Sequence, residues 1–98
     1  MLLIRDIFYC KPGKVRPMVE KFKKMAKLGE QKGMGKMRIL TDVAGEHFWT
    51  ILSEFEVPSL EAFMKMGEGD GMKDFEAIMS DYHELVQNGR REIYTVEG

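Results

Sequence analysis

Twice within 98 residues the spacing of apolar side chains switches from that of a strand to that of a helix and back. Side chains alternate between two faces along a strand and return to one face every three or four residues along a helix. The chain is therefore written as two consecutive strand–helix–strand units. Leu2 to Tyr9 is aliphatic, β-branched and aromatic, and Pro12-Gly13 ends it. Val15, Met18, Val19, Phe22, Met25 and Ala26 then form a single helical stripe. Pro17 falls in the first turn, where its missing N–H does no harm. Lys21, Lys23, Lys24 and Lys27 lie off the stripe, and Gly33 and Gly35 supply the exit.

Met37 to Val43 reads as the second strand, Ala44-Gly45-Glu46 as a turn, and His47 to Glu56 as the third strand. Pro58 stops that strand. Ser59 caps a helix over Leu60 to Met66, with Glu61 near the positive end. Gly67-Glu68-Gly69-Asp70-Gly71 interrupts it, and Asp70 is placed to cap a new segment. Met72, Phe75, Ile78, Met79, Tyr82, Leu85 and Val86 make that segment's stripe; Asn88-Gly89 ends it, and Glu92 to Val96 is the fourth strand. The order β-α-β-β-α-β predicts an α+β, ferredoxin-like fold, a four-stranded antiparallel sheet with two helices on one face. Residues 1–98 are expected to form one domain, burying about 60–65% of the surface of the unfolded chain.

Strand alternation says more. In the first strand Leu2, Ile4, Asp6 and Phe8 share one face, and Leu3, Arg5, Ile7 and Tyr9 the other. The second and third strands also carry apolar residues on both sides, so both sheet faces read as largely apolar. Two helices cover only one of them, and the other needs a partner or a ligand. A second copy of the chain is the economical answer, because a homodimer interface resembles a core cut in half. The expectation is a homodimer packed sheet to sheet.

Charge is divided along the chain. Met1 to Leu40 holds eleven Lys/Arg against three Asp/Glu, and Thr41 to Gly98 four against thirteen, for a net charge of −1. That near-neutral total argues against an electrostatic drive towards nucleic acid or an anionic membrane. The two halves are placed to meet either within a protomer or between protomers. No apolar run approaches the roughly 20 residues of a membrane helix. The opening run contains Arg5 and Asp6 and lacks a small-residue cleavage site, so no secretion signal is expected. Cys10 has no second cysteine to pair with, which fits a reducing compartment. The nine methionines supply adaptable packing volume. A cytoplasmic protein with no membrane or nucleic-acid partner is expected.

Two stretches carry a family resemblance. Strand one followed by Lys11-Pro12-Gly13-Lys14 and an amphipathic helix resembles the dimeric α/β-barrel superfamily. So does Trp49-Thr50-Ile51-Leu52-Ser53-Glu54-Phe55-Glu56 leading through Pro58-Ser59-Leu60-Glu61-Ala62-Phe63 into helix two. That superfamily includes NIPSNAP-type domains, antibiotic-biosynthesis-type cofactor-independent monooxygenases and small haem-degrading monooxygenases. The resemblance implies protomer sheets pairing into a dimeric α/β barrel, with any small hydrophobic ligand pocket between sheet and helices. Function varies widely on such a fold. The haem-degrading branch uses a polar residue in strand one, a tryptophan near the end of strand three and a histidine early in helix two. Asp6 stands near the first position, where that branch has asparagine; Phe55 stands where the tryptophan would be, and Glu76 to Ile78 contains no histidine. Haem degradation is not expected, and neither a cofactor nor a metal is assigned.

Asp6 is the leading catalytic candidate, because a carboxylate in an apolar strand is costly to bury unless paired. The readings that stand are a general base of raised pKa in a small cavity, an ion pair with a residue such as Arg38, or exposure on an edge. His83, on the shoulder of helix two, is either an auxiliary polar group that titrates near neutrality or an exposed structural residue. Phe8, Trp49, Phe55 and Tyr82 are candidates to line a pocket for a flat apolar molecule, with plain core packing as the alternative. His47 and His83 have no ligand spacing. Lys11, Lys14 and Arg16 oppose the dipole of helix one, which an anion would relieve, although basic residues in a turn are commonly just solvated. Gly67 to Gly71 has no nucleotide-loop pattern and reads as a kink over a pocket mouth; Glu68 and Asp70 lack the rest of a calcium-loop series. Cys10 reads as a buried, inert thiol.

Three function classes remain. The first is a small-molecule enzyme resembling the cofactor-independent monooxygenases, in which Asp6 takes a proton from a phenol-like substrate. The second is a non-catalytic dimerisation or ligand-sensing module. The third is RNA binding, which shares the β-α-β-β-α-β order, but HFWTILSEF lacks the basic and glycine start of the RNP1 pattern.

Overall fold

A computed structural model describes residues 1–68 and 72–98. The elements are β1 (Leu2–Cys10), α1 (Val15–Gln31), β2 (Arg38–Thr41), β3 (Thr50–Val57), α2 (Leu60–Met66), α3 (Lys73–Ile78), a 3₁₀ turn at Tyr82–Glu84, and β4 (Val86–Thr95). The strands form one antiparallel sheet in the order β2-β3-β1-β4. This is the α+β ferredoxin-like arrangement, with the second helix divided into α2 and α3.

The stripe of α1 explains how that helix docks. Met18, Val19 and Phe22 are buried against Cys10 of β1 and Ile51 of β3, with Phe8, Ile39, Tyr82, Leu85 and Val86 around them. Burying side chains of this size contributes about 1.5–3 kcal/mol each. Lys23, Lys24 and Lys27 point to solvent from the opposite side of the helix. Ser59 caps α2 as its sequence position suggests, its Oγ accepting from Ala62 N at 3.1 Å.

Four boundaries differ from expectation. β3 begins at Thr50, not His47, because the backbone turns at Trp49, whose φ is 59°. The Trp49 carbonyl accepts from Cys10 N at 2.8 Å and the Asp42 carboxylate from Thr50 N at 2.8 Å, so the turn is tied down on both sides. β2 is correspondingly confined to Arg38–Thr41, and Val43 and Phe48 project into solvent. The stripe running from Met72 to Val86 is not one helix. α3 stops at Ile78, whose carbonyl accepts from Lys21 Nζ at 3.2 Å, while the same ammonium pairs with Asp81. Leu85 then accepts from Lys11 N at 2.8 Å, and Val86 pairs with Cys10 as the start of β4. β4 therefore begins at Val86 rather than Glu92, and Asn88-Gly89 lies inside it. The proposed cap at Asp70, the kink at its flanking glycines and the calcium reading fall wholly or partly outside the described residues.

The sheet face away from the helices is less apolar than the sequence suggests. Arg38, Glu54, Arg5 and Glu92 stand directly opposite one another across β2, β3, β1 and β4. They form one rung of alternating sign, in which Glu54 bonds Arg5 Nε at 2.7 Å and also Arg38, and Arg5 lies 3.7 Å from Glu92. Burial alone would push the Glu54 carboxyl up, but hydrogen bonds from the two guanidinium groups and their charge hold it below the usual range. The adjacent row is apolar over Leu40, Leu52 and Ile7 and ends in Arg90 on β4. The opposite charges of the two halves also meet within the protomer, through Lys21–Asp81 and Lys32–Asp74.

Candidate functional site

The register of β1 with β4 sets the site. Asp6 stands directly opposite Arg91, and the alternation of both strands turns the pair towards the helices. Arg91 Nε and Nη2 donate to the two Asp6 carboxylate oxygens at 2.6 and 3.2 Å, a two-pronged pairing. The guanidinium lies 4.9 Å from the ring centre of Phe63 on α2, and Phe63 in turn meets Phe55 of β3 at 6.1 Å. An aromatic face attracts a cation and restrains its plane. Phe63 therefore holds Arg91 from above while Asp6 holds it from the side.

Above this pair is a cavity of about 360 Å³ between the sheet, α1 and the α2–α3 layer. Asp6, Arg91 and Phe55 line it from the sheet; Met25, Ala26 and Gly29 from α1; Met34 to Met37 from the loop after α1; Phe63, Met64 and Met66 from α2, with Met72 and Phe75 beyond. Six of the nine methionines thus face one space. The walls are thioether, aromatic and aliphatic. Among the described residues their charged groups are the Asp6–Arg91 pair, in which Arg91 is half-exposed, and the exposed Lys36.

The structure brings two of the six sequence candidates together here, Asp6 and Phe55. Phe8 and Tyr82 pack instead around the main core, with rings 5.9 Å apart and Phe8 also edge-on to Phe22 at 5.6 Å. Trp49 lines a separate hollow with Val15, Thr41, Asp42 and Phe48. His83 is exposed on the 3₁₀ turn beside the Tyr82 ring, at 4.6 Å. Asp6 pairs with Arg91, not Arg38, because Arg38 lies on the other sheet face against Glu54. Cys10 is buried, and burial pushes its thiol up, with the Asp42 carboxylate adding to the effect. His47 lies against Tyr9 at 4.4 Å, and Lys11, Lys14 and Arg16 are exposed. Sequence reading missed Arg91, Phe63 and the gathered methionines. Arg91 was recoverable only from the true start of β4, which places it opposite Asp6.

Fold and site together define a ferredoxin-like α+β domain with an apolar cavity under its helices. Proteins of known structure share that fold. A protein from Agrobacterium tumefaciens matches with a TM-score of 0.78 at 12% identity, over 97% of this chain and 92% of the other. An uncharacterised NIPSNAP-like domain protein from Burkholderia xenovorans matches at 0.76 and 10% identity, over 97% and 84%. A structure described as an antibiotic biosynthesis monooxygenase from Deinococcus radiodurans, its function assigned as putative, matches at 0.72 and 11%, over 100% and 94%. No family profile and no curated protein matches the chain. Among the described residues, no helix is long and apolar enough to cross a membrane.

Proposed function

We propose that the chain, as one domain over residues 1–98, binds a small and mostly apolar molecule in the cavity under its helices and works as a sheet-to-sheet homodimer. The cavity carries the reading: about 360 Å³ of apolar space with one polar pair on its floor. Small-molecule sites are typically apolar concavities of about 300–1,000 Å³ with a few placed polar groups. The uncovered sheet face supports self-association. Leu40 and Leu52 on that face gain from burial, Ile7 being buried already, and a rung alternating in sign is complementary to its own reverse. N-phenyl-1-naphthylamine, a neutral fluorescent hydrophobe, is expected to bind saturably to the full chain and to lose that site in Ala26→Phe, which fills the cavity from α1. No saturable signal, or one indifferent to Ala26→Phe in a folded variant, refutes the pocket. A monomeric mass in sedimentation equilibrium at micromolar concentration refutes the dimer.

A second reading adds catalysis, and Asp6 at the cavity floor favours it. In a cofactor-independent oxygenation Asp6 takes the hydroxyl proton of a phenolic substrate. The resulting anion combines with dioxygen at a ring carbon, and the hydroperoxide loses water to leave a quinone carbonyl. Arg91 then faces the anionic oxygen and Phe55 packs the ring; Trp49 and His83 have no part at this cavity. Oxygen uptake unchanged by Asp6→Asn removes Asp6 from that mechanism.

A further inference from the structure

Resting on the pocket reading, we infer that the cavity selects neutral ligands bearing a hydroxyl, phenol or ketone over anionic ones, and that Asp6 sets this selection. An arginine on the wall of an apolar cavity is ordinarily a carboxylate receptor, because its planar fork offers two parallel N–H donors. Here the Nε–Nη2 edge of that fork is already filled, and the Asp6 carboxylate balances the guanidinium charge. Nε and Nη2 of Arg91 both donate to Asp6, and the cross-strand register, rather than a flexible rotamer, holds the two residues opposite each other. Phe63 lies over one face of the guanidinium and restrains its plane.

An incoming carboxylate could reach only the Nη donors that Asp6 leaves free, with the Asp6 charge beside it and mostly apolar walls around it. A neutral group meets no such conflict. A phenol or alcohol donates to an Asp6 oxygen, and a ketone accepts from Nη1, the guanidinium nitrogen that Asp6 does not use. Lys36 does not reverse this, because it is exposed and its charge is screened by solvent. The methionine walls add breadth rather than shape selectivity. Unbranched thioethers adjust to many outlines, which suits them to promiscuous surfaces. The pocket thus sorts molecules by charge more strictly than by shape.

The test displaces N-phenyl-1-naphthylamine from the full chain with 2-naphthol and with 2-naphthoate at neutral pH. The two differ chiefly in presenting a neutral hydroxyl or a carboxylate. Preference for naphthol in the native chain is expected but does not decide the matter, since any apolar cavity disfavours an ion. The deciding variant is Asp6→Asn, nearly isosteric, which frees Arg91. Naphthoate affinity is expected to rise by at least about ten-fold while naphthol affinity stays level or falls. The gain should vanish in Asp6→Asn/Arg91→Met. An unchanged naphthoate-to-naphthol ratio in Asp6→Asn, or native naphthoate binding as tight as naphthol, overturns the inference and leaves the pocket intact. Failure of the fluorescent probe to bind overturns the pocket reading and this inference with it.

Discussion

Gly89 is the position where a single methyl group tests the packing most directly. It sits inside β4 opposite Phe8 of β1. A Cβ built there would lie 2.8 Å from Phe8 Cδ1 and 3.1 Å from Cε1, closer than real carbons approach. The ring is not free to retreat, being edge-on to Phe22 at 5.6 Å and Tyr82 at 5.9 Å. Overpacking of this kind costs about 1–3 kcal/mol. Against it, replacing glycine restricts the unfolded chain and returns about 0.4–1 kcal/mol where the backbone permits. The φ at Gly89 is not in the left-handed region, so that gain is available. The clash outweighs it, and Gly89→Ala should destabilise by about 1–2 kcal/mol. At about 4–8 °C per kcal/mol for a chain of this size, Tm falls by about 4–16 °C. Thermal unfolding by circular dichroism checks this, at one protein concentration because self-association shifts Tm. In a Phe8→Leu background the cost should shrink by about 1 kcal/mol, the coupling expected of residues in contact. A neutral or stabilising Gly89→Ala, or an equal cost in both backgrounds, refutes the packing argument.

The contrasting change is Gly29→Ala on α1. Its Cβ would meet only Met34 Cβ, at 3.9 Å, so the gain in helix propensity should show as about 0.5–1 kcal/mol of added stability in urea unfolding. Ser59→Ala removes the Oγ that accepts from Ala62 N and should cost about 0.5–2 kcal/mol, read in the same assay. Glu54 governs the acid limb. Because its folded pKa is lowered, its stabilisation is complete above the ordinary glutamate range of about 4.3 and is lost as pH falls through the lowered value. Glu54→Gln should therefore be less stable at neutral pH by about 1–2 kcal/mol, discounted for the exposure of Arg38, and should lose less on acidification. Parallel acid limbs for the two proteins would show that Glu54 does not carry the linkage.

The parts of the fold that were legible in sequence are those where local pattern and tertiary packing agree. The stripe of α1 buries the face it advertises, the alternation of β1 turns Ile4, Asp6, Phe8 and Cys10 towards the helices, and Ser59 caps α2 as its position suggests. The errors come from backbone pairing, which a one-dimensional pattern does not encode. Tyr82, Leu85 and Val86 keep helical spacing and do reach the core, but the end of β1 captures Leu85 and Val86 into strand pairing. Asn88-Gly89 is a strong stop signal, yet Gly89 is glycine to admit the Phe8 ring rather than to end a helix. That one misreading hid the site. With β4 starting at Glu92, Arg91 falls outside the sheet, and Asp6 is left to seek a partner in Arg38. The methionines were illegible for a different reason: Met25, Met34, Met37, Met64, Met66 and Met72 share no period, and only the fold gathers them.

The alternation of β1 also ties the two proposed surfaces to each other. Asp6 faces the cavity, while Arg5 and Ile7, its immediate neighbours, face the other side of the sheet. Arg91 stands likewise between Arg90 and Glu92, of which Glu92 belongs to the charged rung. The Asp6–Arg91 pair is thus positioned by the same few backbone bonds that set Arg5 against Glu54 and Glu92. In the proposed dimer, a second copy seated on the rung and on Leu40 and Leu52 would restrain β1 and β4 from behind. The partly exposed members of the rung, Arg38, Arg5 and Glu92, would add little across such an interface and would chiefly select its geometry, while Leu40 and Leu52 would supply apolar burial. A slip of β4 by one residue would turn Arg91 out of the cavity and Arg90 into it. The rung opposes that slip, because the same shift would bring Arg91 in place of Glu92 against Arg5, setting like charges opposite each other. The uncovered face holds the cavity in register without touching anything bound there.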